Sequence, residues 1–219
     1  LVDASIEMEA FIDADNFIIG TVSEDSITFG DINGDGEVNV GDFAGLVNLI
    51  FNSGSQAAPK RAAALAATVE PSLYIEPFSI APGEQKQIEV LLDNPGEKFS
   101  QLQFDLALPE GVEIVFDEDN FCYTIDRGSR LASVYNIDAQ DVNGGVKVLA
   151  LTTNPKAYIK GESGDVVLIT VQAADDIADG VYDLSINNVV LSHQDGSTVK
   201  ATSTTAAITV SSTTGLTNV

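Results

Sequence analysis

Five side chains carrying oxygen donors fall at the spacing a hard divalent cation requires. Asp31, Asn33, Asp35, Asn39 and Asp42 stand at positions 1, 3, 5, 9 and 12 of the run DINGDGEVNVGD. Glu37 at position 7 offers its backbone carbonyl, and Gly36 at position 6 permits the sharp turn around the ion. Calcium takes several oxygens at once, so acidic and amide groups at alternate positions of a short loop can wrap it without a preformed cavity. The metal ligands read from the sequence are therefore Asp31, Asn33, Asp35, Glu37, Asn39 and Asp42, with Ca2+ as cofactor, and Val38 is expected to point into the protein. The competing reading is a solvated Gly-rich turn, which an isolated DG or NG pair would receive.

The spacing is that of an EF-hand-type loop with one departure. Asp42 stands where the usual loop has Glu, which shortens the bidentate ligand by one methylene and requires the following helix to sit closer to the ion. Phe43, Leu46, Val47, Leu49 and Ile50 then recur at three- and four-residue spacing, with Asn48, Asn52 and Ser53 polar, and predict a short amphipathic helix. Residues 25–30, DSITFG, read as extended, so no helix is predicted ahead of the loop. A lone loop and helix has few core residues, and its apolar face, Phe43, Val47 and Ile50, needs a cover. That cover is residues 1–30, the remainder of the chain or another protein, and packing within the chain is favoured.

The run GDINGDGEVNVGDFAGLVNLIF, residues 30–51, resembles one calcium-binding repeat of a dockerin module, a loop followed by one helix with Asp at the twelfth position. The resemblance implies a calcium-folded element that meets a cohesin partner through helix surfaces. Dockerins normally carry two repeats, often with small hydroxyl residues at loop positions 10 and 11; here one repeat is visible and those positions hold Val40 and Gly41.

Composition sets wider limits. With 219 residues, 44% of them apolar, the chain can bury one large core or two smaller ones. A net charge of −23, from 33 acidic and 10 basic residues, excludes nucleic acid and anionic membrane as partners, because the phosphate term that drives such binding is repulsive. No apolar run is long enough to insert in a membrane. Leu1 is not a native start, and a targeting segment is expected to have been removed. The single cysteine, Cys122, cannot form an internal disulfide and is expected to pack between Phe121 and Tyr123 as a small residue. No catalytic constellation is present: GxSxG, HExxH, CxxC and a phosphate-cradling loop are all missing, His193 lies in a polar turn, and the acidic FDEDNF run at 116–121 reads as a solvated loop. The chain is not expected to be an enzyme. Sugar binding lacks an aromatic platform, since there is no Trp and five Tyr, of which Tyr135 and Tyr158 lie near strand ends and are the candidates for exposure.

The elements that must position the loop follow it. The chain divides into a strand-rich segment 1–30, the loop and helix at 31–55, a linker at 56–71, a sandwich at 72–211 and a tail at 212–219. From Ser72 short strands recur: SLYIEPFSI, QIEVLLD, SQLQFDLA, GVEIVF, FCYTI, LASVYNI, GVKVLALTT, DVVLITVQA, GVYDLSINNVVLS and TAAITV. In the third, which runs on as SQLQFDLALPEG, Leu102, Phe104, Leu106 and Leu108 alternate with Gln101, Gln103, Asp105 and Ala107, placing one set in a core and the other near water. Turn residues such as Asn143, Gly144 and Gly145 supply the hairpins. The fold class predicted is mainly β, a two-sheet antiparallel sandwich with a small N-terminal EF-hand-type calcium loop and helix.

The stretches APGEQKQIEVLLDN, LQFDLALPEGVEI and DVVLITVQAADDIADGVYDLSINNVVLS resemble a cohesin-type module over residues 72–211. The resemblance implies a jelly-roll scaffold without catalysis, facing protein or glycan. A dockerin-like repeat beside a cohesin-like sandwich is similar to proteins with which gut and anaerobic bacteria organise polysaccharide degradation at the cell surface. The expectation is a non-catalytic, extracytoplasmic binding or assembly protein, secreted or at the bacterial surface. Its partner is a protein met through dockerin- or cohesin-type surfaces, unless the two elements pack on each other. The alternative is a carbohydrate-binding module of a glycan-capture system, with a polysaccharide partner.

Overall fold

The computed structural model describes residues 30–51 and 70–212. The strands expected within 1–29, the linker up to residue 69 and the tail beyond 212 lie outside the described residues, as does most of the extended segment expected at 25–30; its last residue, Gly30, has helical backbone. The helix expected after the loop is α1, Val40–Phe51.

Two sheets face each other. The first runs β1 (Ser72–Ile75), β3 (Gln85–Asp93), β11 (Asp165–Ala173) and β5 (Val112–Ile114), with β8 (Ile125–Arg127) also on β11. The second runs β2 (Phe78–Ile80), β14 (Thr204–Val210), β12 (Gly180–Ser192), β4 (Gln101–Ala107), β10 (Gly145–Leu151) and β9 (Asn136–Val142), with β13 (Thr198–Lys200) also on β12. A separate hairpin joins β6 (Phe116–Asp117) to β7 (Cys122–Tyr123). Alternation builds the layer between the sheets: Ile88, Val90 and Leu92 of β3 are buried while Glu89 is exposed, and Leu102, Phe104 and Leu106 of β4 face them from the other side. Each such side chain contributes about 1.5–3 kcal/mol by leaving water.

The structure departs from the sequence reading at four places. SLYIEPFSI is two strands in different sheets, because Pro77 has no N–H for a ladder and the chain crosses there from β1 to β2. Strand β2 then pairs with β14 in parallel, the one such pair among the described strands. LASVYNI is mostly turn, with strand beginning at Asn136 and Tyr135 fully buried in the main core. Cys122 is exposed rather than packed: β7 belongs to a separate two-stranded hairpin in which the neighbouring Tyr123, not Cys122, packs against the core.

The fourth departure positions the loop. Gln101 and Gln103, expected near water, are only 2% and 4% exposed. The Gln101 amide exchanges hydrogen bonds with the Thr152 backbone at 2.9 and 2.8 Å, and Gln103 Oε1 accepts the Val40 N–H at 3.2 Å. The outer face of the second sheet is covered at this point by α1, which lies on β12 and β4. Val40 meets Leu149 and Val190 there, with Leu151 packed alongside. A bulge between Asn187 and Val190 resets the phase of β12, so that Val189 and Leu191 face the core and Val190 faces α1. The buried side of α1 carries Val40, Phe43, Leu46 and Val47, whereas Leu49, Ile50 and Phe51 are exposed, so Ile50 is not part of the covered face.

At one end of the sandwich Asp165 accepts hydrogen bonds from the Ser129 hydroxyl at 2.6 Å and the Ser129 N–H at 2.5 Å. These bonds, with Arg130 adding attraction, hold the carboxyl below its ordinary value. A depressed carboxylate stabilises the fold above the ordinary Asp value, and that contribution is lost as pH falls through the folded value. Ser129→Ala therefore lowers stability by its full amount at pH 7 and by progressively less as the pH falls toward 2, where Asp165 is protonated in both proteins, which a set of urea melts across pH 2–7 checks.

Candidate functional site

Residues 31–42 close on themselves through side chains that accept backbone amides. Asp31 Oδ1 takes the N–H groups of Gly34 at 2.7 Å and Asp35 at 3.0 Å, and its Oδ2 takes Gly36 at 2.9 Å. Asn33 Oδ1 accepts the Asp35 N–H at 2.9 Å, and Asp35 Oδ1 accepts the Glu37 N–H at 3.0 Å. These are Asx-type turns, and they demand the left-handed backbone that Gly34 and Gly36 adopt at φ 75° and 89°.

Positions 9 and 12 do a second job. Asn39 Oδ1 accepts the Gly41 N–H at 2.7 Å, and Asp42 Oδ2 accepts the Asn39 N–H at 2.8 Å, a reciprocal cap on the start of α1. Asp42 Oδ1 accepts Ile32 N–H at 2.7 Å and Asn33 N–H at 3.2 Å, tying the beginning of the loop to its end. Asp42 is fully buried. Burial pushes its carboxyl up to about 6; its backbone bonds oppose the shift and the charge of Asp35 adds to it.

The donor chemistry fits calcium: three carboxylates, two side-chain amides and the Glu37 carbonyl supply hard oxygens, without thiol or imidazole. A carboxylate offers about four lone-pair sites, so the three amides on Asp42 do not exhaust it. Among the described residues no three His, Cys, Asp or Glu side chains converge as a cage, and the carboxylates of Asp31 and Asp42 are turned toward amides. Of the six ligands read from the sequence, Asp31, Asn33 and Asp35 are brought together by these turns. Glu37 sends its side chain away to Lys200 at 2.5 Å, and Asn39 is buried beside the sheet with its Nδ2 unpartnered. Val38 is half-buried.

The sequence gives no signal for what holds the loop from outside. The turn between β12 and β13 does so: Gly196 C=O accepts from Asn33 Nδ2 at 2.9 Å, and Thr198 Oγ1 lies 3.4 Å from Asp35 Oδ2. These partners are 163 residues away along the chain. Gly41 and Gly45 of α1 pass over Gly196 with backbones in contact.

No family model matches this sequence, and no curated protein matches it. The fold does match solved structures. It is similar to the seventh ScaB type I cohesin from Pseudobacteroides cellulosolvens, at 16% identity over 68% of this chain and 97% of that one, with a TM-score of 0.53. It is similar to the sixth cohesin of scaffoldin B from Acetivibrio cellulolyticus, solved in complex with a mutant Cel5 dockerin, at 18% identity over 65% of this chain and all of that one, with a TM-score of 0.54. A non-cellulosomal cohesin from the archaeon Archaeoglobus fulgidus matches at 15% identity over 65% of this chain and 92% of that one, with a TM-score of 0.51. At such identities the likeness is one of fold, and the two-sheet body of this chain has the fold of cohesin domains.

Proposed function

We propose that this chain is a non-catalytic, extracytoplasmic binding and assembly module of a bacterial polysaccharide-degrading system, in which a calcium-folded, dockerin-like loop and helix is held on the cohesin-type sandwich of the same chain. The observation that carries the reading is the seat of α1. Val40 and Gly41, loop positions 10 and 11, are the residues pressed against the second sheet and the β12–β13 turn. They are the positions that the dockerin resemblance associates with recognition. One of the matching cohesins was solved bound to a dockerin, which supports protein rather than small-molecule partnering, although fold alone does not fix function.

In this reading Asp31, Asn33, Asp35, Asn39 and Asp42, with the Glu37 carbonyl, hold the ion, which supplies the positive charge that lets acidic side chains share one short loop. Without it Asp31, Asp35 and Asp42 repel one another, and a 12-residue helix is too short to persist alone. Chelation therefore removes amide-exchange protection from residues 31–51 and leaves the sandwich protected. Asp31→Ala with Asp35→Ala abolishes the calcium titration. Protection unchanged by chelator, together with an unaffected titration in the double variant, refutes the calcium element. Pull-down of a dockerin-bearing partner in calcium tests the binding role; retention on a glycan array without protein capture favours the glycan-binding alternative.

A further inference from the structure

A cavity of about 410 Å³ lies between the end of the loop and the outer face of the second sheet. Glu37 and Asn39 line it from the loop, Gln103 and Lys147 from β4 and β10, and Asn188 and Lys200 from β12 and β13. Strand register makes these groups converge. Gln103 is paired with Val190, and Val190 with Lys200, while Lys147 is paired with Asp105, two residues on from Gln103. Paired residues share a side of the sheet, and Val190 is on the side that meets α1. Gln103, Lys147 and Lys200 therefore all project outward, as the neighbouring Leu102 and Phe104 fill the core.

The charges in this wall are paired. Lys147 Nζ donates to Asp105 Oδ1 at 2.7 Å, and Lys200 Nζ donates to Glu37 Oε1 at 2.5 Å. Asn188 stands in the β12 bulge with a left-handed backbone, φ 50°, and its Nδ2 donates to the second oxygen of Asp105 at 2.6 Å. An ammonium group donates three hydrogen bonds, so each lysine keeps capacity beyond its ion pair. Gln103 spends its Oε1 on the Val40 N–H and is left with an amide nitrogen that only donates. Asn39 likewise spends its Oδ1 on the Gly41 N–H, and its Nδ2 is buried with no acceptor, an unfavourable state for a polar group.

Small-molecule sites of this size, roughly 300–1,000 Å³, are lined mainly by apolar and aromatic side chains. Here amides, ammonium groups and a carboxylate predominate, and among the described residues no aromatic ring lines the cavity. Each lysine already faces a carboxylate, so no net charge is left to select an ion. Donors outnumber acceptors, which calls for a ligand rich in oxygen, and Val38 and Val190 offer small apolar patches suited to C–H groups. We propose that this cavity takes a neutral, hydroxyl-rich ligand, one or two rings of a saccharide. Its hydroxyl oxygens accept from Lys200, Gln103 and Asn39, and its hydroxyl protons go to Glu37 and the Asn188 carbonyl oxygen. The inference rests on the glycan-binding alternative above, to which it gives a place, and on the seat of the loop against the sheet.

The test titrates the full chain in calcium with the methyl glycosides of glucose, galactose, mannose and xylose, and with glycerol, following amide resonances. At least one glycoside shifts the amides of Asn39, Gln103, Asn188 and Lys200 at concentrations where glycerol does not, with an affinity that salt leaves unchanged. Asn188→Gly suits the left-handed backbone and removes the amide, and weakens binding about five- to tenfold. Lys200→Met does the same and spares the fold, because its ion pair with Glu37 is exposed. Glycosides that bind no better than glycerol mean an ordinary wet surface and overturn the proposal, as does unchanged affinity in both variants or binding that salt abolishes. A longer oligosaccharide that binds through other amides and leaves these unmoved also overturns it. Amide exchange of residues 31–42 is read on the same samples. Absent binding with those amides protected overturns the cavity alone; loss of protection and binding together overturns the loop's seat on which it rests.

Discussion

Replacing Arg130 with alanine lowers the stability of the sandwich by about 3–5 kcal/mol and its thermal midpoint by roughly 6–20 °C. Arg130 is 5% exposed, and its guanidinium donates to four acceptors from separate stretches of chain: the carbonyls of Leu92 and Lys160, Asn94 Oδ1 at 2.6 Å and the Gly161 carbonyl at 2.8 Å. It thereby fastens the end of β3 to the segment that leads into β11. Burial lowers its pKa, while Asp93 and Asp165 pull the other way, so the charge is held by hydrogen bonds without a direct salt bridge. Truncation leaves all four acceptors short of a donor, and Asn94 is itself fully buried with no access to water. Lysine restores the charge but not the planar fork, so Arg130→Lys recovers only part of the loss. Denaturant melts of the full chain measure both variants. A loss below about 1 kcal/mol in Arg130→Ala would show that water replaces the guanidinium at this end.

Those four acceptors also mark where sequence reading stops. The sheets were legible because one face of each strand must be apolar: Leu102, Phe104 and Leu106 alternate, and all three are fully buried in the core. The same alternation misplaces Gln101 and Gln103, because period two distinguishes the faces of a sheet and is blind to a second layer on the outer one. That layer is α1, brought back from the start of the described chain. Ile50 fails for a related reason. Helical spacing identifies a stripe, and the partner's shape decides how far along the helix the stripe is covered; here cover ends near Val47.

The loop was legible in another sense. Asp31, Asn33, Asp35 and Gly36 announce a tight, oxygen-rich turn, and the structure folds them into one. What their order leaves open is the division of labour at Asp42, whose carboxylate caps α1 and binds the first amides of the loop. An Asn followed three residues later by Asp ahead of an apolar run is a capping signal in its own right, so both roles are written in the same letters.

Gly41→Leu lifts α1 from the second sheet while leaving the sandwich folded. A Cβ placed on Gly41 lies 2.4 Å from Thr198 Cγ2 and 2.9 Å from both the Gly196 carbonyl oxygen and Asn33 Nδ2. The threonine side chain can turn away; the Gly196 backbone cannot, since that turn carries a φ of 86° and a bond to Asn33. The contact is reciprocal, with a Cβ on Gly196 only 3.0 Å from the Gly41 carbonyl oxygen and 3.1 Å from Gly45 Cα. Leucine is the better helix former by nearly 1 kcal/mol, so intrinsic propensity pushes toward a more stable α1. Against that stand the overlap, at about 1–3 kcal/mol, and renewed exposure of Val40, Leu149 and Val190, buried to within 2–5%. The clash and the lost burial win by about 3 kcal/mol or more. Gly45→Ala supplies the opposite sign: its nearest neighbour is Ile32 Cγ2 at 3.3 Å, a side-chain methyl that can give, so the gain in helix propensity prevails and α1 is unchanged or slightly firmer. Hydrogen exchange of the α1 amides in calcium reads both variants. Full protection retained in Gly41→Leu would mean that the three glycines do not set the approach, and that the helix reaches the sheet by its apolar side chains alone.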